Sequence, residues 1–264
     1  MKEYFISEID IEKLYHLSDI KIKLDSNKRQ HLLLTGKNGS GKTSLLLEIE
    51  KFLRAINDEK LSQVFDQYPT WINEAKKKVL SASSDSEKYA ADKDLKQCLG
   101  FLKKYSDGVQ INLNQYEGLE MMYHNGKFIT AYFPSERKAQ FMRPNGVENI
   151  TLENTYGIDE SAGDILLKYM VHLKTQQAYA RNEGDQTTAN QIQKWFDRFD
   201  SALQILLDEE SIHIEYDYKK YDFKIRQNGR EPFSFNELSD GYSSVIYIVS
   251  DLILRMDKNW LVED

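Results

Sequence analysis

Gly36-Lys37-Asn38-Gly39-Ser40-Gly41-Lys42-Thr43 is the stretch that decides how this chain is read. A glycine, four residues, then Gly-Lys-Thr is the complete glycine-rich phosphate-binding pattern. Its glycines let successive backbone N–H groups turn inward toward one anion. Downstream, Leu45, Leu46, Ile49, Phe52 and Leu53 recur at helical spacing. The loop should therefore open a helix, whose N-terminus adds partial positive charge. Upstream, His31 to Thr35 is a short apolar run of the kind found in a strand covered on both faces. Strand, loop and helix form the context that the pattern requires.

In such a Walker A loop the lysine, here Lys42, reaches the β- and γ-phosphates, and the hydroxyl of Thr43 ligates Mg²⁺. The expected ligand is ATP with Mg²⁺. It is held by Gly36, Asn38, Gly39, Ser40, Gly41, Lys42, Thr43 and Ser44, with Thr43 as the metal ligand. Lys37 faces solvent or the phosphates.

The bulk properties narrow the setting. The 264 residues suit one large domain or one domain with an insertion, and 41% of them are hydrophobic, enough for a core. A net charge of -7 argues against a broad nucleic-acid-binding surface and leaves only a local basic patch such as Lys76-Lys77-Lys78. The ordinary reading of that run is a solvated helix face. Cys98 is the single cysteine, so no internal disulfide forms, and a reduced cytoplasmic location is expected. No apolar run approaches the roughly 20 residues of a membrane span, and the first ten residues are not a signal peptide. The five histidines (His16, His31, His124, His172 and His213) lack metal-ligand spacing.

Local patterns predict the elements. Tyr4, Ile6 and Ile9, then Ile20, Ile22 and Leu24, read as strands, the second with one buried face, joined by a loop through Leu14, Tyr15 and Leu17. Residues 55–106 are polar and Lys-rich and read as a helical insertion broken near Ser81 to Asp85. Val109, Ile111 and Leu113 form a strand. Leu119, Met121 and Tyr123 form another, turning at His124-Asn125-Gly126-Lys127 into a partner strand from Phe128 to Phe133. Ser161-Ala162-Gly163-Asp164 looks like a capping box. A helical lobe over 160–208 contains the amphipathic run Ile192, Trp195, Phe196, Phe199, Leu203 and Leu206. Ile212, Ile214 and Tyr216 alternate as a strand. Phe223 and Ile225 pair with Phe233 and Phe235 across Gln227-Asn228-Gly229-Arg230. A last helix carries Val245, Ile248, Val249 and Leu252.

That helix is preceded by Asn236-Glu237-Leu238-Ser239-Asp240-Gly241-Tyr242. The motif resembles the ABC ATPase signature, Leu-Ser-Gly-Gly-Gln in transporters and Leu-Ser-x-Gly-x in chromosome-maintenance and repair ATPases. Asn38-Gly39-Ser40-Gly41 likewise resembles the loop of the RecF/SMC/OLD-like branch. Together the two stretches are most similar to the AAA-family ATPases that accompany anti-phage defence effectors. The resemblance covers the loop region and the C-terminal stretch, and the middle matches by layout alone. Tyr242 stands where Gln or Glu is usual.

The resemblance implies an α/β P-loop NTPase fold over 1–264: an ABC-ATPase head with an antiparallel β portion and a helical insertion, C-terminally truncated. It implies head-to-head homodimerisation, with Ser239 and Gly241 contacting the nucleotide held by the other copy, and slow ATP hydrolysis as a switch in DNA repair or anti-phage defence. A separate effector protein is a further implied partner. Ser135, Glu136, Arg137 and Gln140 fall in the region of the family's Q-loop. Trp260-Leu261-Val262-Glu263-Asp264 reads as the loop before a Walker B strand, with the chain ending ahead of it, so the chain alone is expected to lack ATPase activity. Two rivals stay open. One is a non-hydrolysing nucleotide-sensing scaffold. The other is a P-loop small-molecule kinase, which leaves Leu238 to Gly241 unexplained.

Overall fold

A computed structural model describes residues 3–134 and 141–260. The chain divides into two compact units, Met1–Thr130 and Ala131–Asp264. The architecture is α/β, with two three-stranded antiparallel sheets and seven α-helices among the described residues.

In the first unit, β1 (Ile6–Leu14) and β2 (Leu17–Lys23) form a hairpin in which Leu14 faces Leu17 across a two-residue turn, Tyr15-His16. β3 (Val109–Leu113) pairs with the other edge of β1, giving the order β2-β1-β3. Ile9 and Ile11 lie opposite Ile111 and Val109, and all four are buried. On the other face of β1, Glu8 and Asp10 both pair with Lys21 at 3.4 and 2.7 Å, and these hydrogen-bonded carboxylates raise the Lys21 pKa. β2 is an edge strand. Its expected buried face is only partly realised, with Ile20 exposed and Ile22 half-buried. Helix α1 (Lys42–Asn57) sends Leu45, Phe52, Ala55 and Ile56 into the core beside Ile9, Ile11 and Ile111.

Beyond α1, a short π-helical turn (Gln63–Gln67) leads into α2 (Tyr68–Ser81) and α3 (Asp85–Lys103), which pack together as a helical hairpin. Their break falls at residues 82–84, where the Ser84 hydroxyl accepts the Glu87 amide at 3.3 Å and caps α3. Two expectations fail in this unit. Residues 119–133 are not a β-hairpin: Leu119–His124 is a helix, α4. The burial of Leu119 and Tyr123, four apart, beside a 63% exposed Met121 follows helical rather than alternating periodicity. His124 to Lys127 then closes that helix rather than a strand turn. Nor is His31 to Thr35 a strand. It runs to the loop without a bend and without a paired neighbour, mostly exposed. A strand exists only through its ladder, and among the described residues no strand pairs with this one.

Gly108 locks the sheet to its entry loop. Its carbonyl accepts the amides of Glu12 and Lys13 at 3.0 and 3.1 Å, its φ is +75°, and a Cβ there would lie 2.0 Å from the Lys13 carbonyl oxygen.

In the second unit, α5 (Leu166–Glu183) and α6 (Gln186–Leu207) pack against each other, with Asp185 capping α6 through the Thr188 amide at 3.0 Å. β4 (His213–Asp217), β5 (Asp222–Arg226) and β6 (Phe233–Ser234) form the second sheet. The core joins Trp195, Phe196 and Phe199 of α6 to Phe223 and Ile225 of β5 and to Ile246 and Leu254 of the last helix, α7 (Asp240–Trp260). The buried residues of α7 are Ser243, Ile246, Tyr247, Ser250, Asp251, Ile253, Leu254, Arg255 and Asp257. Val245, Ile248, Val249 and Leu252 are less buried, so the helix is rotated from the expected face.

Ser161 caps nothing with its side chain, and Ala162–Ile165 is a 3₁₀ turn ahead of α5. The expected box is replaced by a longer-range anchor. Asp251 accepts the Gly163 amide at 3.0 Å and the Arg255 side chain at 2.5 Å. Arg255 donates onward to the carbonyls of Tyr156, Gly157 and Glu160. Buried charges are stable only when paired and hydrogen-bonded, and this network meets both conditions.

Gly108→Ala should lower the stability of the first unit by about 1–3 kcal/mol in a denaturant melt, because the backbone conformation is strained and the contacting oxygen is main-chain. Gly100→Ala, within α3 and with open space at its Cβ, should be neutral or stabilising by up to ~1 kcal/mol. Equal effects of the two would contradict this description of the backbone.

Candidate phosphate-binding site

The glycine-rich loop takes the shape its sequence demands. Gly36, Gly39 and Gly41 have φ of +149°, +80° and +90°. The Ser40 amide donates to the Lys37 carbonyl at 3.2 Å, closing a turn at Asn38-Gly39. Gly41 is the N-cap of α1 with no side-chain cap, and the first turn of the helix carries no acid. The first amides of α1 are therefore left for an anion. The φ of +90° is what favours glycine at position 41; the β1–β2 hairpin lies close by, and a Cβ there would meet Leu17 Cδ1, the mobile end of that side chain, at 2.7 Å.

Lys42 folds into the loop. Its ammonium donates to the carbonyls of Gly36 and Lys37, both at 2.8 Å, and to Ser40 Oγ at 3.3 Å. The cation thus stands inside the ring of backbone that the pattern assigns to phosphate. Asn38, Gly39, Ser40, Gly41, Lys42, Thr43 and Ser44 line an open cleft of about 560 Å³. Of the loop residues expected to bind, these seven come together, and Gly36 contributes its carbonyl to the lysine rather than a wall to the cleft.

Two lining residues were not anticipated. Tyr15 and His16, the β1–β2 turn, form the cleft's remaining wall. Tyr15 is 77% exposed and holds a left-handed φ of +53°. Reading Leu14 to Leu17 as a loop concealed them. Two strands separated by two residues would have placed that turn at the end of the sheet.

No Asp or Glu among the described residues lines the cleft. Among the described residues no group of three or more His, Cys, Asp or Glu side chains is placed to hold a metal. Thr43 is exposed on the cleft wall, where its hydroxyl and those of Ser40 and Ser44 are oxygen donors of the type Mg²⁺ takes.

In the second unit, Ser239 and Gly241 lie at the N-terminal end of α7, both exposed. The Ser239 carbonyl accepts the Ser243 amide at 2.9 Å, starting the helix. The preceding turn is fixed by the Ser234 amide donating to Glu237 at 2.5 Å, and this bond holds the Glu237 carboxyl below its ordinary pKa. A Cβ on Gly241 would meet nothing within 4 Å, and its φ lies outside the left-handed range. The fold of this chain does not itself require glycine there.

Lys76, Lys77 and Lys78 are exposed on α2, as a solvated face requires. Ser135, Glu136, Arg137, Gln140 and the tail from Leu261 to Asp264 lie outside the described residues. Among the described residues no helix is long and apolar enough to cross a membrane. No protein-family model, curated protein or solved structure matches this chain.

Proposed function

We propose that this chain binds ATP, as its Mg²⁺ complex, on the loop Gly36 to Ser44. One observation carries the reading: the Lys42 ammonium stands inside a glycine loop whose helix presents uncapped amides to an open cleft. That combination suits a polyphosphate, whose charge the lysine and amides share. On binding, the ammonium exchanges two carbonyl partners for phosphate oxygens, a charge-assisted and stronger contact. Thr43 supplies its hydroxyl to Mg²⁺. Tyr15, exposed at the cleft's edge, offers a ring face to the base.

Binding rather than turnover is the activity these residues support. Hydrolysis needs a group that orients the attacking water, and among the described residues no carboxylate lines the cleft. We place the chain as the nucleotide switch of an ABC-type head that controls an effector. Ser239 and Gly241 favour this over a small-molecule kinase. They are exposed at a helix N-terminus, and the bare Gly241 leaves room for another molecule's phosphates. In this reading a second copy offers its signature to each bound ATP, giving two symmetric sites. The γ-phosphate supplies the differential affinity for the closed pair. A role in DNA repair or anti-phage defence rests on the sequence resemblance alone.

Lys42→Ala should weaken ATP binding more than tenfold, about 1.4 kcal/mol or more, by calorimetry. Unchanged affinity would remove the loop as the site. Tyr15→Ala should weaken ATP several-fold while leaving tripolyphosphate binding unaltered, and an equal loss for both ligands would show that the ring does not meet the base. Ser239→Arg should leave ATP binding to the monomer intact and abolish ATP-dependent dimerisation in sedimentation. A variant that dimerises like wild type would make Ser239 no more than a helix start.

A further inference from the structure

We infer that a second cavity of the first unit is a binding site for a free amino acid with a large apolar side chain. Its volume is about 430 Å³, inside the range of roughly 300–1,000 Å³ that small-molecule pockets occupy. It shares no lining residue with the phosphate cleft, and the inference does not rest on nucleotide binding. Phe52 of α1, Val64 and Phe65 of the π-helical turn, Ile72 of α2, Leu102 of α3 and Ile111 of β3 form its apolar walls. Phe52, Val64, Ile72 and Ile111 are buried. α2 and α3 pack on each other, and the core around β1 and β3 takes in Tyr68 at the start of α2 but not Ile72. The cavity lies where that core stops and the helical hairpin goes on. Its apolar walls lack partner atoms on one side, and an apolar body that enters restores those contacts.

The charged part of the lining selects the occupant. Glu12, Lys76, Lys103 and Asp107 all line the cavity. Lys103 and Asp107 pair with each other at 3.5 Å. Among the described residues, the Glu12 carboxylate and the Lys76 ammonium have no charged partner. Asn73, three residues before Lys76 on the same side of α2, adds a neutral amide. The lining is thus apolar, with one unpaired charge of each sign. A hydrocarbon would leave both charges unanswered, and a fatty acid would answer one. A segment of polypeptide, from this chain or another, would present neutral main-chain amides to them. A free amino acid brings an ammonium for Glu12, a carboxylate for Lys76 and, when large and apolar, a side chain for the walls.

The test is calorimetry on the full chain. L-phenylalanine, L-tryptophan and L-leucine are titrated beside phenylpropionate, which lacks the ammonium, and N-acetyl-L-phenylalaninamide, which lacks both charges. At least one of the amino acids should bind saturably at a single site, and the two analogues should bind about tenfold more weakly or worse. Lys76→Glu should weaken the amino acid about tenfold. Lys77→Glu, at an exposed position outside the lining, should leave it unchanged. Leu99→Trp sets a ring inside the cavity and should abolish binding, with a melting curve to show that the variant folds. The two lysine variants, both at exposed positions, decide the matter even if Leu99→Trp does not fold. No binding by any of the three amino acids, or an equal loss in the two lysine variants, would overturn the inference. The capped amide binding as tightly as phenylalanine would overturn it as well, by assigning the cavity to a segment of polypeptide.

Discussion

A lysine ammonium held by three oxygens of its own loop is the interaction on which the site depends. Holding it there demands backbone that only glycine adopts without strain, at positions 39 and 41. Gly41 in turn fixes where α1 begins, and α1 carries Phe52, Ala55 and Ile56 into the core with the first sheet. The hairpin turn closes against the same glycine through Leu17. Loop, helix and hairpin thus meet at one local requirement, the glycine backbone that folds around Lys42. The packing behind it keeps that geometry in place before any ligand arrives.

The second unit is organised by a different constraint. Arg255 and Asp251 are buried, and each satisfies the other while binding main-chain groups of residues 156–163. A charge pair of this sort fixes a single arrangement, since removing either partner strands the other in a dry interior. The anchored turn leads into α5, and α7 is held with Gly241 facing outward at its N-terminal end.

Short-range patterns were the most legible part of the sequence. The loop, the start of α1, the break before Ser84, the aromatic face of α6 and the Phe223–Ile225 strand all follow from local chemistry. Failures came where a local pattern has two solutions or where the deciding contact is distant. Leu119, Met121 and Tyr123 fit alternation, but burial of positions 119 and 123 gives a helix. Ser161 to Asp164 has the spelling of a capping box, yet the Gly163 amide is claimed by Asp251, far along the chain. The rotation of α7 reflects the same pair, because burying Asp251 and Arg255 turns the polar residues inward and Val245 outward. His31 to Thr35 has the composition of a covered strand without the neighbours that would make it one. At the candidate site, glycine spacing pointed to the loop wall of the cleft, whereas the Tyr15-His16 wall depends on strand register, which composition does not reveal.

The most direct measurement is competition for the wild-type chain by ATP, tripolyphosphate and adenosine, each with Mg²⁺, against a fluorescent ATP analogue. Because recognition is assigned to the loop amides and Lys42, ATP and tripolyphosphate should each displace the probe fully from a single class of site, and adenosine should displace almost none. Displacement by adenosine but not by tripolyphosphate would contradict the assignment, as would failure of the probe to bind.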